Sequence, residues 1–307
     1  MRVTDSFRYR SVILDLNRSR ERMTALQEQL ATGKRINRPS DAPIDASISM
    51  RLRTVLESNL QFDRINDDAT AFLSTTEGTL EDINSIILDI RDLNIQAAND
   101  ATSPRDDLAD QLDLMLQSLM EVANTRFQGK YIFAGTKTLS VPFTVNTSVQ
   151  NGLDTGDIVD YHGNDDNFRR QLNENTAVDV NITGAQLFKD SASGGEDIFQ
   201  HIWELRNHLL NDDTEAIRGK IEDFDNTYNQ VLETYLEVGT KTQLAMFNKD
   251  RFEKQNNNLR NRISELEDTD FGAAFVNFKA EENALQSALS AGARVVSPSL
   301  IDFVGAG

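Results

Sequence analysis

The fold is decided by residues 217–266, which read IRGKIEDFDNTYNQVLETYLEVGTKTQLAMFNKDRFEKQNNNLRNRISEL. From Ile217 to Leu266, mainly apolar positions return at alternating spacings of four and three residues. That alternation is the heptad pattern of a helix that packs along one seam. The stretch is longer than an ordinary helix of a globular protein. It therefore predicts one long helix of a bundle.

Two stretches in the first half of the chain carry the same pattern. Residues 73–97 repeat at spacings of three and four, and a second apolar stripe runs from Leu108 to Val122. Ser103 and Pro104 have the residue types of a helix cap and a first helical position, and Gly129 follows the second stripe. These stretches predict the partner helices of the bundle.

Each end of the chain carries a shorter seam with one polar member, Ser19 in the first and Glu282 in the second. The C-terminal seam begins after a phase slip of five residues between Leu266 and Phe271. We define the apolar members of the two seams as the assembly seam: Val12, Leu16, Met23, Leu26, Leu30, Phe271, Phe275, Phe278, Leu285 and Leu289. Burial of about five apolar side chains contributes about 8–15 kcal/mol per seam. Ordering some 30 residues costs about 1–2 kcal/mol each. The entropy cost of ordering one terminal helix thus exceeds the gain from burying its seam. We therefore expect the two ends to pair with each other, and neighbouring subunits to supply further buried surface.

Between the helical stretches, residues 138–190 are rich in Gly, Pro, Thr, Val, Asn and Asp. Residues 177–182 alternate apolar and polar side chains, as a half-buried strand does. The predicted fold class is therefore mainly α, with a terminal coiled coil, a long helical-bundle rod and a small β-rich insertion. The predicted domains are 1–42 with 268–307 for the coiled coil, 43–137 with 191–267 for the rod, and 138–190 for the insertion. Because a surface insertion tolerates change, we expect residues 144–189 to be dispensable for assembly.

The net charge of −18 disfavours nucleic acid and anionic membranes as partners. Residues 1–64 carry a net charge of +4 and the remainder −22. This asymmetry could favour head-to-tail contacts between copies, although a solvated mixture of charges explains it equally well. No apolar run approaches a membrane span, and the N-terminus has no apolar signal-peptide core. The chain is thus expected to be cytosolic or exported without a cleaved signal.

No pattern of catalytic or metal-binding residues emerges. His201 and His208 lie seven residues apart, whereas metal-binding pairs on a helix are three or four apart. The chain has no cysteine, no Gly-x-Ser-x-Gly motif and no Gly-rich phosphate loop. A cluster of aspartates could hold calcium, but it lacks EF-hand spacing and a solvated acidic loop is the simpler reading: Asp154, Asp157, Asp160, Asp165 and Asp166. We expect no enzymatic activity, no cofactor and no metal.

Several motifs, in order along the chain, resemble those of the flagellin family. Residues 30–43, LATGKRINRPSDAP, resemble the family's turn between its first two helices, and 75–80, TTEGTL, the entry to its long rod helix. Residues 129–136, GKYIFAGT, with Pro142–Phe143, are more similar to subunits of the hook–filament junction than to filament flagellins. Residues 284–289 and 299–303 agree with that likeness. The resemblance covers about residues 1–143 and 197–307 and leaves out the insertion.

The resemblance implies a structural subunit that links hook to filament, outside the cell, exported by the flagellar type III system. It implies as partners other copies in a ring, a hook-side junction protein, flagellin, and a cytoplasmic export chaperone on the C-terminal helix. A filament flagellin is the nearest alternative, and an intracellular coiled-coil adaptor is a more distant one.

Overall fold

A computed structural model of the 307-residue chain describes residues 2–99, 104–152, 156–189 and 197–304. Its side chains are described from Arg10 to Ala291 within those ranges. The predicted cap at Ser103, the acidic Asp154 and the linker at 191–195 lie outside the described residues.

Long helices dominate the described chain. They are α1 (Arg2–Thr32), α2 (Pro43–Asn99), α3 (Arg105–Ala123), α4 (Thr147–Gln150), α5 (Gly184–Phe188), α6 (Ile198–Leu210), α7 (Thr214–Glu267) and α8 (Phe271–Val304). The predicted long helix is confirmed, since α7 runs unbroken for 54 residues. Helix α2 is equally continuous and extends the heptad stretch at 73–97 back to Pro43.

Within the described residues, the strands form three two-stranded antiparallel sheets. Strand β1 (Arg126–Phe127) pairs with β2 (Lys130–Tyr131), β3 (Phe143–Val145) with β4 (Val159–Tyr161), and β5 (Arg169–Asn173) with β6 (Thr176–Asp179). The turn between β1 and β2 has positive φ at both Gln128 and Gly129, the geometry that suits a tight hairpin. The predicted strand at 177–182 ends at Asp179. Beyond it, the Asn181 side chain is buried and bonds to Phe168 and Asp166 across the strand pair.

The chain divides into two compact units. One comprises residues 1–59 and 254–307, and the other comprises residues 60–253. Both α2 and α7 contribute residues to both units. The three-domain division expected from the sequence stays a prediction.

The heptad positions of α2, α3 and α7 build the core of the 60–253 unit. In α2, all eight seam positions between Leu73 and Ala97 are buried. In α7, Ile217, Phe224, Val231 and Val238 are fully buried in the same cluster. The mainly α fold class is thus confirmed, with long helices and small sheets.

The insertion is anchored in that core by aromatic rings. Phe143 lies 4.9 Å from Phe188 and 5.4 Å from Phe199, measured between ring centroids, and Phe188 stacks on Phe199 at 5.1 Å. The Gly184 backbone approaches so closely that a Cβ there would lie 2.5 Å from the Phe143 ring. The expectation that residues 144–189 are dispensable for assembly stays a prediction, although their side chains contribute to this core. Removing them would take eight buried side chains out of the core: Val149, Ile158, Val159, Leu172, Val180, Ile182, Leu187 and Phe188.

Candidate assembly interface

Helices α1 and α8 pair along their length within the 1–59 and 254–307 unit. The five α1 members of the assembly seam are half-buried: Val12, Leu16, Met23, Leu26 and Leu30. Ser19, the polar member of this seam, is buried. The α1 face therefore has the phase read from the sequence.

The face of α8 differs from the sequence prediction. Phe278 and Leu285 are half-buried as expected, but Phe271, Phe275 and Leu289 are 57%, 54% and 44% exposed. The inward positions are instead Ala274, Phe278, Glu281, Leu285 and Ala288. Phe278 and Leu285 belong to both the predicted and the observed heptad phase. The observed phase also includes Ala274, Glu281 and Ala288, which a search for large apolar side chains does not detect. Whether the exposed three contact neighbouring subunits stays a prediction.

A polar contact lies at the centre of the pair. Ser19 Oγ donates to Glu281 Oε1 at 2.7 Å, and Arg22 donates to the same oxygen from Nε at 3.0 Å and from Nη2 at 2.7 Å. The hydrogen bond from Arg22, with that from Ser19, lowers the pKa of Glu281. The predicted polar member, Glu282, pairs instead with Lys279 on its own helix. Because buried Ser19 and exposed Arg22 both reach Glu281 in this one alignment, the contact favours a single register of α1 against α8.

Helices α1, α2 and α8 of this unit leave large apolar side chains in solvent. Exposed members of this unit include two α1 residues beside the seam, four on α8 and three on α2: Ile13, Leu14, Phe271, Phe275, Val276, Leu289, Ile44, Met50 and Val55. Large contiguous apolar exposure on a soluble protein marks interaction sites. The unit therefore presents apolar rows that its own described side chains do not cover.

The turn after α1 and the turn after α7 are joined by their backbones. The Arg35 amide donates to the Glu267 carbonyl at 2.6 Å, and the Thr269 amide donates to the Gly33 carbonyl at 2.9 Å. Gly33 has φ of 72°, and the Phe271 ring lies 3.3 Å from where its Cβ would stand. A side chain at residue 33 would thus be strained and crowded. These bonds hold the C-terminal end of α1 close to the N-terminal end of α8 and so orient the two helices.

Glu267 gathers three side chains around this turn contact. It accepts two hydrogen bonds from Arg53, one from Ser49, and an ion pair from Lys34 at 3.4 Å. The bonds from Arg53, aided by those from Ser49 and Lys34, lower the pKa of Glu267 to about 2. Lys34 also pairs with Asp268 at 2.6 Å. We call Lys34, Ser49, Arg53, Glu267 and Asp268 the turn cluster.

Sequence reasoning missed the turn cluster. Some of its members lie in segments that the sequence analysis noted: Lys34 lies within the 30–43 motif, and Glu267 and Asp268 lie within the phase slip. Nothing in the spacing shows that two turns more than 230 residues apart meet. Opposite charges at two helix breaks could have suggested the pairing.

Among the histidines and aspartates of the chain, His201, His162 and Asp157 make contacts with nearby polar side chains. His201 Nδ1 lies 3.0 Å from Lys220 Nζ, and His162 Nε2 lies 2.8 Å from Thr144 Oγ1. Asp157 pairs with Lys189 at 2.8 Å. Across the described residues, no group of three or more His, Asp or Glu side chains is placed to hold a metal ion. Nor is any described helix long and apolar enough to cross a membrane.

The sequence profile of the bacterial flagellin N-terminal helical region matches residues 9–138. The range contains the 30–43 and 75–80 motifs and ends after the GKYIFAGT motif. This part of the chain is thus similar to the N-terminal helical region of bacterial flagellins, as the motifs indicated.

Over almost its whole length, the chain is similar to flagellar hook-associated protein 3 of Salmonella typhimurium. The two are 26% identical over 94% of each chain. The phase 2 flagellin of the same organism is 29% identical over 58% of this chain and only 33% of the flagellin. Among solved structures, the flagellar junction protein FlgL of Legionella pneumophila shares the fold, with a TM-score of 0.56 at 16% identity. That match covers 73% of this chain and 99% of FlgL. The resemblance to hook-associated protein 3 is therefore confirmed. These relatives are structural proteins of the flagellum, not enzymes.

Proposed function

We propose that the chain is a structural subunit at the junction between the hook and the filament of a bacterial flagellum. The observation that carries this proposal is the α1–α8 pair, which favours a single register and leaves apolar rows exposed. A monomer gains nothing from such rows, whereas a subunit in a ring buries them against its neighbours. The near full-length similarity to hook-associated protein 3 supports the same conclusion.

In this proposal, copies of the chain form a ring through the assembly seam and the exposed residues beside it. The hook-side junction protein contacts one side of the ring and flagellin the other. The domain division expected from the sequence gives the coiled coil at 1–42 and 268–307 the assembly role. The turn cluster sets the directions of α1 and α8, so that their exposed rows meet a neighbour at a defined angle.

The chain reaches the outside of the cell through the flagellar type III system, without a cleaved signal peptide. A cytoplasmic chaperone binds the C-terminal helix before export and keeps its apolar side chains from premature association. Apolar residues of α8 such as Phe275 and Val276, which are exposed in the isolated chain, suit both contacts in turn. The net charge of −18 supports the exclusion of nucleic acid and anionic membranes as partners.

A filament flagellin is the nearest rival. The GKYIFAGT motif argues against it, and so does the similarity to flagellin, which covers only a third of that protein. An intracellular coiled-coil adaptor is a more distant rival, which predicts that the chain never leaves the cell.

Electron microscopy of purified hook–filament particles, labelled with an antibody to this chain, tests the proposal. We expect label at the junction alone, and a number of copies per flagellum typical of a ring. Label along the whole filament would favour the flagellin alternative. Detection only inside the cell would favour the adaptor.

A further inference from the structure

A cavity of about 530 Å³ opens on the 60–253 unit, between α2, the β1–β2 hairpin and β5. Three half-buried phenylalanines line it. Phe72 meets Phe127 edge-on at 5.7 Å and Phe168 at 6.4 Å, measured between ring centroids. Such a floor offers apolar surface to a side chain that enters from outside.

The rim of this cavity is basic. Lys130, Arg169 and Arg170 line it and are exposed, and none has an ion-pair partner among the described residues. Asp68 is the one acidic side chain in the lining. Arg126 adds a fourth cation nearby, stacked 4.2 Å above the Tyr131 ring. A chain with a net charge of −18 thus concentrates unpaired positive charge around a cavity that is partly lined by phenylalanine rings.

Helix α3 carries the opposite arrangement on its solvent face. Asp107, Asp110 and Leu114 follow one another at spacings of three and four residues, and Leu114 is 67% exposed. Glu121 continues the stripe seven residues further on. None of these three carboxylates pairs with a cation in the described part of the chain, although nearby Asp113 pairs with Arg206. This face of α3 therefore presents the exposed Leu114 side chain in line with three carboxylates that have no ion-pair partner among the described residues.

We propose that the cavity receives the α3 face of a neighbouring copy of this chain. Leu114 would lie against the phenylalanine floor, with Asp107 and Asp110 opposite Arg169, Arg170 and Lys130. Complementary charge fixes the partner and the register of such a contact. Because the two patches share no residue, the contact is head-to-tail and repeats from copy to copy, as closing a ring requires. This inference rests on the proposed junction function and adds a second ring contact outside the assembly seam.

The absence of cysteine allows a direct test by cross-linking. Thr138→Cys places a thiol in the cavity lining, and Leu114→Cys places one at the centre of the α3 face. The double variant should form a ladder of linked copies when isolated hook–filament particles are oxidised. A matched control replaces the cavity thiol by Gln243→Cys, an exposed position on α7, and should give no ladder. Reversing charge with Arg169→Glu and Arg170→Glu should lower the ladder yield about tenfold. Adding Asp107→Lys and Asp110→Lys should restore it.

Each outcome separates this inference from the proposed function. If the chain is present in the particles and no ladder forms, the contact is wrong and the junction function stands. A ladder equal to that of the control, or a cavity thiol linked only to a different protein, also overturns the contact. If the chain is absent from the particles, the proposed function and the contact fail together.

Discussion

Arg53 on α2 binds Glu267, the last residue of α7, through two hydrogen bonds, Nε to Oε1 at 3.0 Å and Nη2 to Oε2 at 2.5 Å. A two-pronged arginine–carboxylate contact fixes both distance and orientation. Because Glu267 immediately precedes the turn into α8, and Lys34 on the turn after α1 also pairs with it, the contact ties three chain segments together. Glu267 is thus the central residue of the turn cluster.

Glu267→Gln is expected to destabilise the 1–59 and 254–307 unit by about 1–3 kcal/mol, since Arg53 and Lys34 lose a charged acceptor. Urea unfolding followed by circular dichroism would measure the change. The matched control is Glu265→Gln, an exposed residue on the same helix turn, which should shift stability by less than about 0.5 kcal/mol. Equal effects of the two variants would mean that the turn cluster contributes little.

The contribution of Glu267 should depend on pH. Its pKa falls from 4.5 to about 2 on folding, so the folded state favours the ionised form. The resulting stabilisation is complete above pH 4.5 and disappears as the pH falls towards 2. The stability difference between wild type and Glu267→Gln should therefore shrink over that window. A difference that stays constant from pH 6 to pH 2.5 would contradict the assignment.

Substitution by aspartate should have different effects at two adjacent residues of α8, one on stability and the other on hook binding. Ala274→Asp places a carboxylate at a buried position, because Ala274 is 5% exposed, and should cost at least about 2 kcal/mol. Phe275→Asp lies on the solvent face and should leave monomer stability within about 0.5 kcal/mol. It should nevertheless abolish binding of the purified chain to hooks that lack their junction subunit.

Thermal unfolding and hook binding, measured together, separate the two effects. Asn277→Asp, also exposed on α8, controls for added charge alone and should bind hooks normally. Normal hook binding by Phe275→Asp would show that Phe275 does not contribute to the assembly interface. A large fall in its unfolding midpoint would place it in the monomer's own packing.

Phe143→Ala should destabilise the 60–253 unit by about 3–5 kcal/mol, because it empties the space shared by the Phe188, Phe199 and Tyr161 rings. Urea unfolding and near-ultraviolet circular dichroism would report the loss. Leu139→Ala, at an 84% exposed position, should change stability by less than about 0.5 kcal/mol. A small effect of Phe143→Ala would mean that the contact between the insertion and the rest of the core contributes little to stability.

The sequence by itself determined the long helices and the core of the bundle. Heptad spacing repeats every two turns, so the buried positions from Leu73 to Ala97 and from Ile217 to Val238 could be read without coordinates. The motifs at 30–43 and 129–136 likewise indicated the resemblance to flagellins and to the hook–filament junction subunits. Local periodicity and short motifs suffice for these conclusions because both depend only on residues that are close together in the sequence.

The tertiary structure alone decided which face of α8 turns inwards and what meets it. Phe278 and Leu285 fit two heptad phases, and the choice depends on Ser19 and Arg22, which reach Glu281 from α1. The same holds for the turn cluster and for the Tyr161, Phe188 and Phe199 rings around Phe143, which come from separate parts of the chain. Contacts of this kind depend on how elements pack, and spacing along one element carries no information about the residue that will face it.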